Sequence, residues 1–213
     1  MVAAQKTTQE TIYLVDKPGA VQSVIRIGAL APAYDTTGDF FRAQLVNFNL
    51  GGNFNSRINQ NLREDKAYTY GASSSFIGFE NYGAFNAQAE VDARVTGEAL
   101  KELLYEITLM RDEGVTSDEL NYLKQSYLQG EALSYVTPEQ KSYLLLNLMR
   151  YGTDAGYLAQ QSRIIEAMTP DELSQVAKMV LKPEQLQIVV VGDKATLLPQ
   201  LEKLELPIKG LPL

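Results

Sequence analysis

Apolar and polar positions alternate through residues 21–28. Val21, Ser23, Ile25 and Ile27 fall on one side of an extended chain, and Gln22, Val24, Arg26 and Gly28 on the other. The preceding run TIYLVD, with Ile12 and Leu14, is rich in β-branched and aromatic residues and ends at Lys17-Pro18-Gly19. Together the two runs predict a pair of strands around a turn. The period then changes. Residues Asp35 to Thr37 supply capping side chains, and Phe41, Leu45, Val46 and Phe48 recur at helical spacing until Gly51-Gly52 stops them. A short helix over 54–64 follows. Residues 69–92 return to an extended pattern of small and aromatic residues about Glu80-Asn81-Tyr82-Gly83, which predicts a hairpin.

From 93 to 181 the pattern is helical. Leu100, Leu103, Leu104, Ile107 and Met110 form one stripe that ends at Gly114. Two later segments, TPEQKSYLLLNLMRYG and TPDELSQVAKMVL, both open with Thr-Pro and an acidic residue, a helix-start signal. The run LQIVVVG at 186–192 reads as a buried strand, and DKATLLPQLEKL as a closing helix. Strands, two helices, a hairpin, a run of helices and a last strand predict an α+β fold. It has a single, mostly antiparallel sheet of about five or six strands with helices packed on one face. Neither a repeat nor a linker interrupts the chain, so 1–213 reads as one domain, with 1–10 expected to be flexible.

Composition narrows the chemistry by what it lacks. The chain has 213 residues and 45% hydrophobic content, enough for a sizeable core. Its net charge of −7 comes without a basic cluster, which argues against a nucleic-acid partner. No apolar run approaches the roughly 20 residues of a membrane span, and MVAAQKTTQE lacks the layout of an export signal. There is no Cys, which removes disulfides, thiol nucleophiles and thiolate zinc sites. There is no His, which removes Ser-His and Cys-His catalysis and imidazole metal sites. A hydrolase would have to work with carboxylates, Lys or Tyr.

Taken singly, the candidate residues have plain readings. Arg63 at a helix end beside Glu64 and Asp65 reads as a solvated or ion-paired side chain. Tyr70, two positions from Tyr68 on an expected strand, reads as packing. Gly51-Gly52 lacks the spacing of a phosphate loop and reads as a helix stop. The tyrosines Tyr122, Tyr127, Tyr135, Tyr143, Tyr151 and Tyr157 fit a groove lining or half-buried helix positions equally well.

Read together, GGNFNSRINQNLREDKAYTYGASSSF resembles the signature of the second, zinc-free domain of the pitrilysin/insulysin family of inverted-motif zinc metallopeptidases. Gly51, Gly52, Ser56, Arg57, Leu62, Arg63, Glu64 and Tyr70 match that signature, and so does the spacing from Arg63 to Tyr70. Ala67 and Tyr68 stand where the family has Gly-Leu. The order of elements fits the family along essentially the whole chain. The resemblance implies a metallopeptidase-half domain of the LuxS and processing-peptidase type. It also implies that Arg63 and Tyr70 are substrate-binding residues, contacting the peptide backbone and the oxygen that becomes negative during hydrolysis.

By the same resemblance, no catalytic or metal residue lies in this chain. The cofactor is zinc, held in a partner half that carries H-x-x-E-H, since that motif needs two His. The expected partners are that zinc-bearing domain or subunit and a peptide substrate, with a homodimer open to the isolated chain. The chain is either an excised half of a longer peptidase, which its abrupt first strand favours, or a natural subunit. Family habit points to the bacterial periplasm or envelope. The rival from another class is a peptide-binding or assembly scaffold in which Arg63 and Tyr70 are relics. A carboxylate-based enzyme comes third, because no acidic pair is singled out by its context.

Overall fold

The computed structural model describes residues 10–133, 136–154 and 156–212. But for Glu10, the flexible segment expected at the N-terminus lies outside them. The strands are β1 (Thr11–Asp16), β2 (Gln22–Ala31), β3 (Ala72–Gly78), β4 (Gly83–Asp92), β5 (Gln187–Gly192) and β6 (Ile208–Leu211). The helices are α1 (Asp39–Asn47), α2 (Arg57–Asn59), α3 (Thr96–Glu113), α4 (Ser117–Leu133), α5 (Pro138–Tyr151), α6 (Gly156–Ala167), α7 (Pro170–Val180) and α8 (Lys194–Leu201). Wide π-type turns prolong α1 over Phe48–Gly52 and α2 over Gln60–Asp65.

The fold is α+β around one mixed sheet, in the order β3-β4-β2-β5-β1-β6. Three pairings are antiparallel, β3 with β4, β4 with β2 and β2 with β5; β5–β1 and β1–β6 are parallel. The strands expected on either side of Lys17-Pro18-Gly19 are present as β1 and β2. In the sheet β5 lies between them and bonds to both. The sixth strand, β6, was not foreseen; its IKGL is short and mostly exposed, with no alternation to read.

The alternation along β2 sorts the two faces of the sheet. Ile25 and Ile27 are fully buried, and with Ile12, Ile188 and Val190 they form the floor of the core. Helix α3 lays Leu100, Leu103, Ile107 and Met110, all fully buried, against this side. Thr169 and Glu172 close a reciprocal capping box at the start of α7, and Thr137 and Gln140 do the same for α5. The opposite face stays open along β2 and β4, where Val24, Arg26, Asn86, Gln88 and Glu90 are part or fully exposed. No helix among the described residues is long and apolar enough to cross a membrane.

Candidate functional site

The motif residues divide into two physical groups. The first group holds the fold. A Cβ at Gly51 would run into the amide nitrogen and hydroxyl of Ser74, so only glycine lets the turn after α1 lie against β3. At that contact Asn47 donates to the Ser74 carbonyl at 2.9 Å and accepts from its hydroxyl at 2.6 Å. Asn59 accepts from the Ala72 amide at 3.2 Å. These side chains occupy backbone groups on the outer side of β3, which is the edge of the sheet. Ser56 donates to the Asn53 carbonyl at 2.6 Å, and Leu62 is fully buried.

Arg57 belongs to the same group. Its Nε and Nη2 reach the two Glu119 oxygens at 2.5 and 2.7 Å, and Nη2 also donates to the Gly114 carbonyl at 2.8 Å. Burial raises the Glu119 pKa, but hydrogen bonds from Arg57 and from Thr116 outweigh it and hold the carboxyl below its usual value. The pair ties α2 to the start of α4.

The second group is Arg63, Glu64 and Tyr70. Arg63 leaves the turn after α2, with its guanidinium 4.4 Å over the Phe54 ring and 3.5 Å from the Glu64 carboxylate. Residues 66–71 form no strand, which corrects the expectation that Tyr68 and Tyr70 share a strand face. Ala67 has φ +53°, the left-handed region, at the very position where the family signature has Gly. The Tyr68 amide donates to the Leu62 carbonyl at 2.8 Å, and its ring packs half-buried on the core. The Thr69 hydroxyl donates to the Glu90 carbonyl at 2.7 Å. Tyr70 is therefore fixed in backbone, yet its side chain is 96% exposed.

Arg63 and Tyr70 line one hollow of about 600 Å³, bordered by Gln22, Glu64, Glu90 and Asp92. Asp92 is taken up by Arg94, which donates to both of its oxygens at 2.9 and 2.8 Å. Those hydrogen bonds hold the Asp92 pKa down at about 2. What the site offers is an exposed phenol on a tied backbone and a part-exposed guanidinium at one concave surface. Sequence reading missed Asn47, Asn59, Phe54, Glu90 and Glu119, because each acts on a residue distant in the chain.

Among the described residues the tyrosines of these helices have different partners. Tyr122 packs on Phe48 and Tyr127 bonds Gln161, while Tyr151 stacks on Tyr34 at 3.7 Å. Tyr135 lies outside the described residues. Burial, with neighbouring Tyr157, Tyr151, Tyr143 and Asp35, pushes the Tyr34 phenol up to about 12. Zinc does not fit this chain. It has no His or Cys, and the described residues gather no group of three or more metal-ligating side chains.

This α+β domain, with the motif residues holding the turns against β3, has the fold of peptidase M16 inactive domains. The model of the peptidase M16 inactive domain matches residues 2–127, and the chain belongs to that family. It is 23% identical over 176 residues to the non-peptidase homolog YmxG of Helicobacter pylori, covering 81% of this chain and 40% of that protein. It is 29% identical over 158 residues to an uncharacterised zinc protease of Streptomyces coelicolor, covering 70% of this chain and 33% of that protein. The crystal structure of a peptidase M16 inactive domain from Pseudomonas fluorescens superposes with a TM-score of 0.79 at 22% identity. That match covers 87% of this chain and 44% of the other. The chain thus spans less than half the length of these relatives.

Proposed function

We propose that the chain is the non-catalytic half or subunit of a zinc-dependent endopeptidase, closing its substrate chamber. Arg63 and Tyr70 contact the peptide backbone and donate to the carbonyl oxygen as it gains charge. The zinc, and the water it activates, belong to a partner half carrying H-x-x-E-H; this chain binds and orients the peptide. The observation that carries the reading is Tyr70. Its backbone is pinned on either side, its ring makes no fold contact of note at 96% exposure, and it opens on the same hollow as Arg63. A residue that merely packs is buried.

The test is peptide hydrolysis by this chain paired with its zinc-bearing half. Arg63→Ala and Tyr70→Phe each lower turnover by about a hundred- to a thousandfold, the loss of one oxyanion donor, while thermal unfolding of the chain barely moves. Turnover within about threefold of wild type for both variants, a barrier change under 1 kcal/mol, overturns the reading. The relative named a non-peptidase homolog favours a second one, in which the fold serves as a peptide-binding or assembly scaffold. In that case peptides bind, and no pairing yields hydrolysis.

A further inference from the structure

The hollow at Arg63 continues around Tyr70 onto the open face of the sheet. A second hollow of about 220 Å³ shares Gln22, Thr69, Tyr70 and Glu90 with the first and adds Arg26 and Gln88. Strand register fixes the layout. Arg26 on β2 stands opposite Gln88 on β4 and Val189 on β5, and the next row holds Val24 opposite Glu90 and Val191. Two residues along a strand separate the rows by about 7 Å.

Arg26 differs from the arginines around it. Arg63 has Glu64, and Arg94 has both oxygens of Asp92. The Arg26 guanidinium is exposed and makes no hydrogen bond or ion pair among the described residues. Its donors are free at the centre of a sheet face in a protein of net charge −7. One reading needs no ligand: the aliphatic stem shields Val189 and Val24 while the head stays in water.

We propose that this hollow is a subsite for a carboxylate of the bound peptide, an acidic side chain or the free C-terminus, with Arg26 as its partner. The proposal rests on the peptide-binding reading above. A planar guanidinium matches a carboxylate through two parallel hydrogen bonds. Glu90 borders both hollows, the one at Arg26 included, so its charge weakens the attraction of Arg26 for a carboxylate, and its removal strengthens it.

The experiment is fluorescence anisotropy of short, labelled, unstructured peptides binding to the full chain. An amidated neutral peptide is compared with the same peptide carrying one Glu in place of Gln at successive positions, and with its free-acid form. The Glu-scanned arm and the free-acid arm tell the two sources of carboxylate apart. One of these arms binds roughly three- to fivefold tighter than the amidated neutral peptide, and added salt erases the difference. Arg26→Gln abolishes the preference, Arg26→Glu reverses it, and Glu90→Gln enlarges it. Tyr70→Ala weakens all peptides alike and leaves the preference in place. Equal binding of acidic and neutral peptides, or a preference that survives Arg26→Gln, overturns the subsite while peptide binding stands. If no peptide binds, the reading beneath it falls and the subsite falls with it.

Discussion

Two arginines six residues apart in one motif should behave in opposite ways. Arg57 donates three hydrogen bonds at 2.5, 2.7 and 2.8 Å, two to Glu119 and one to the Gly114 carbonyl. Its side chain is 17% exposed and that of Glu119 24%. Arg57→Ala leaves a half-buried carboxylate with only Thr116 to hold it, and an orphaned carbonyl. Breaking a buried pair costs about 3–5 kcal/mol, and partial exposure here brings the loss to about 2–4 kcal/mol. Arg63→Ala loses one ring contact and an exposed ion pair at 3.5 Å, together about 0–1 kcal/mol. For a domain of this size the first change lowers Tm by roughly 5–15 °C and the second by a few degrees at most. Urea titration at neutral pH with circular dichroism, run on both variants with m-values compared, measures the difference. Equal losses, or a larger one for Arg63, refute the division of the motif into residues that hold the fold and residues left free.

Further expectations follow from the same geometry. Ala67 sits at φ +53°, where an L side chain is strained, so Ala67→Gly raises the urea midpoint by about 0.5–1 kcal/mol of stability; a loss would mean the methyl is needed for packing. The lowered Glu119 pKa contributes stability that is present above the unfolded value of 4.5 and is lost as pH falls through the folded value. The gap between wild type and Glu119→Gln is therefore widest near neutral pH and closes well below pH 4.5; a gap indifferent to pH would refute the ionic account. Metal analysis after dialysis of the purified chain against zinc finds no stoichiometric metal, since carboxylates alone hold zinc poorly.

Much of the core was legible because its signals are local. The period-two pattern of β2 put Ile25 and Ile27 on the buried face, and the α3 stripe is fully buried at Leu100, Leu103, Ile107 and Met110. What was hidden depends on partners distant in sequence. Nothing near residues 11–31 says that the strand at 187–192 inserts between β1 and β2. Glu119 lies 62 positions from Arg57. The loop at 66–71 misled the reading of Tyr68 and Tyr70 for a related reason. Its backbone bonds go to Leu62, Asn61 and the Thr69 hydroxyl rather than to a neighbouring strand, so period-two alternation does not apply. Arg63 and Tyr70 themselves were picked out by the family resemblance, not by any periodicity.

On the proposed reading, the exposure of Tyr70 makes the Arg63–Tyr70 pair depend on an enclosing partner. A donor aimed at a developing oxyanion is effective where water is excluded. Two unit charges at 4 Å interact by about 1 kcal/mol in bulk water and by about 4 kcal/mol at an effective dielectric near 20. On the open domain Tyr70 stands in solvent, and Arg63 keeps Glu64 within 3.5 Å as a competing carboxylate. In that state the pair adds little to any reaction, even with a zinc site supplied nearby. A second half that covers the hollow removes the water and strengthens each donor in place, and no backbone movement is needed because residues 66–71 are already tied to Leu62 and Glu90. On that reading the domain brings a tied loop and the partner brings enclosure, so a variant that loosens the loop and one that weakens the pairing should fail in different ways. The first raises the barrier inside an intact assembly, and the second shifts the concentration at which activity appears.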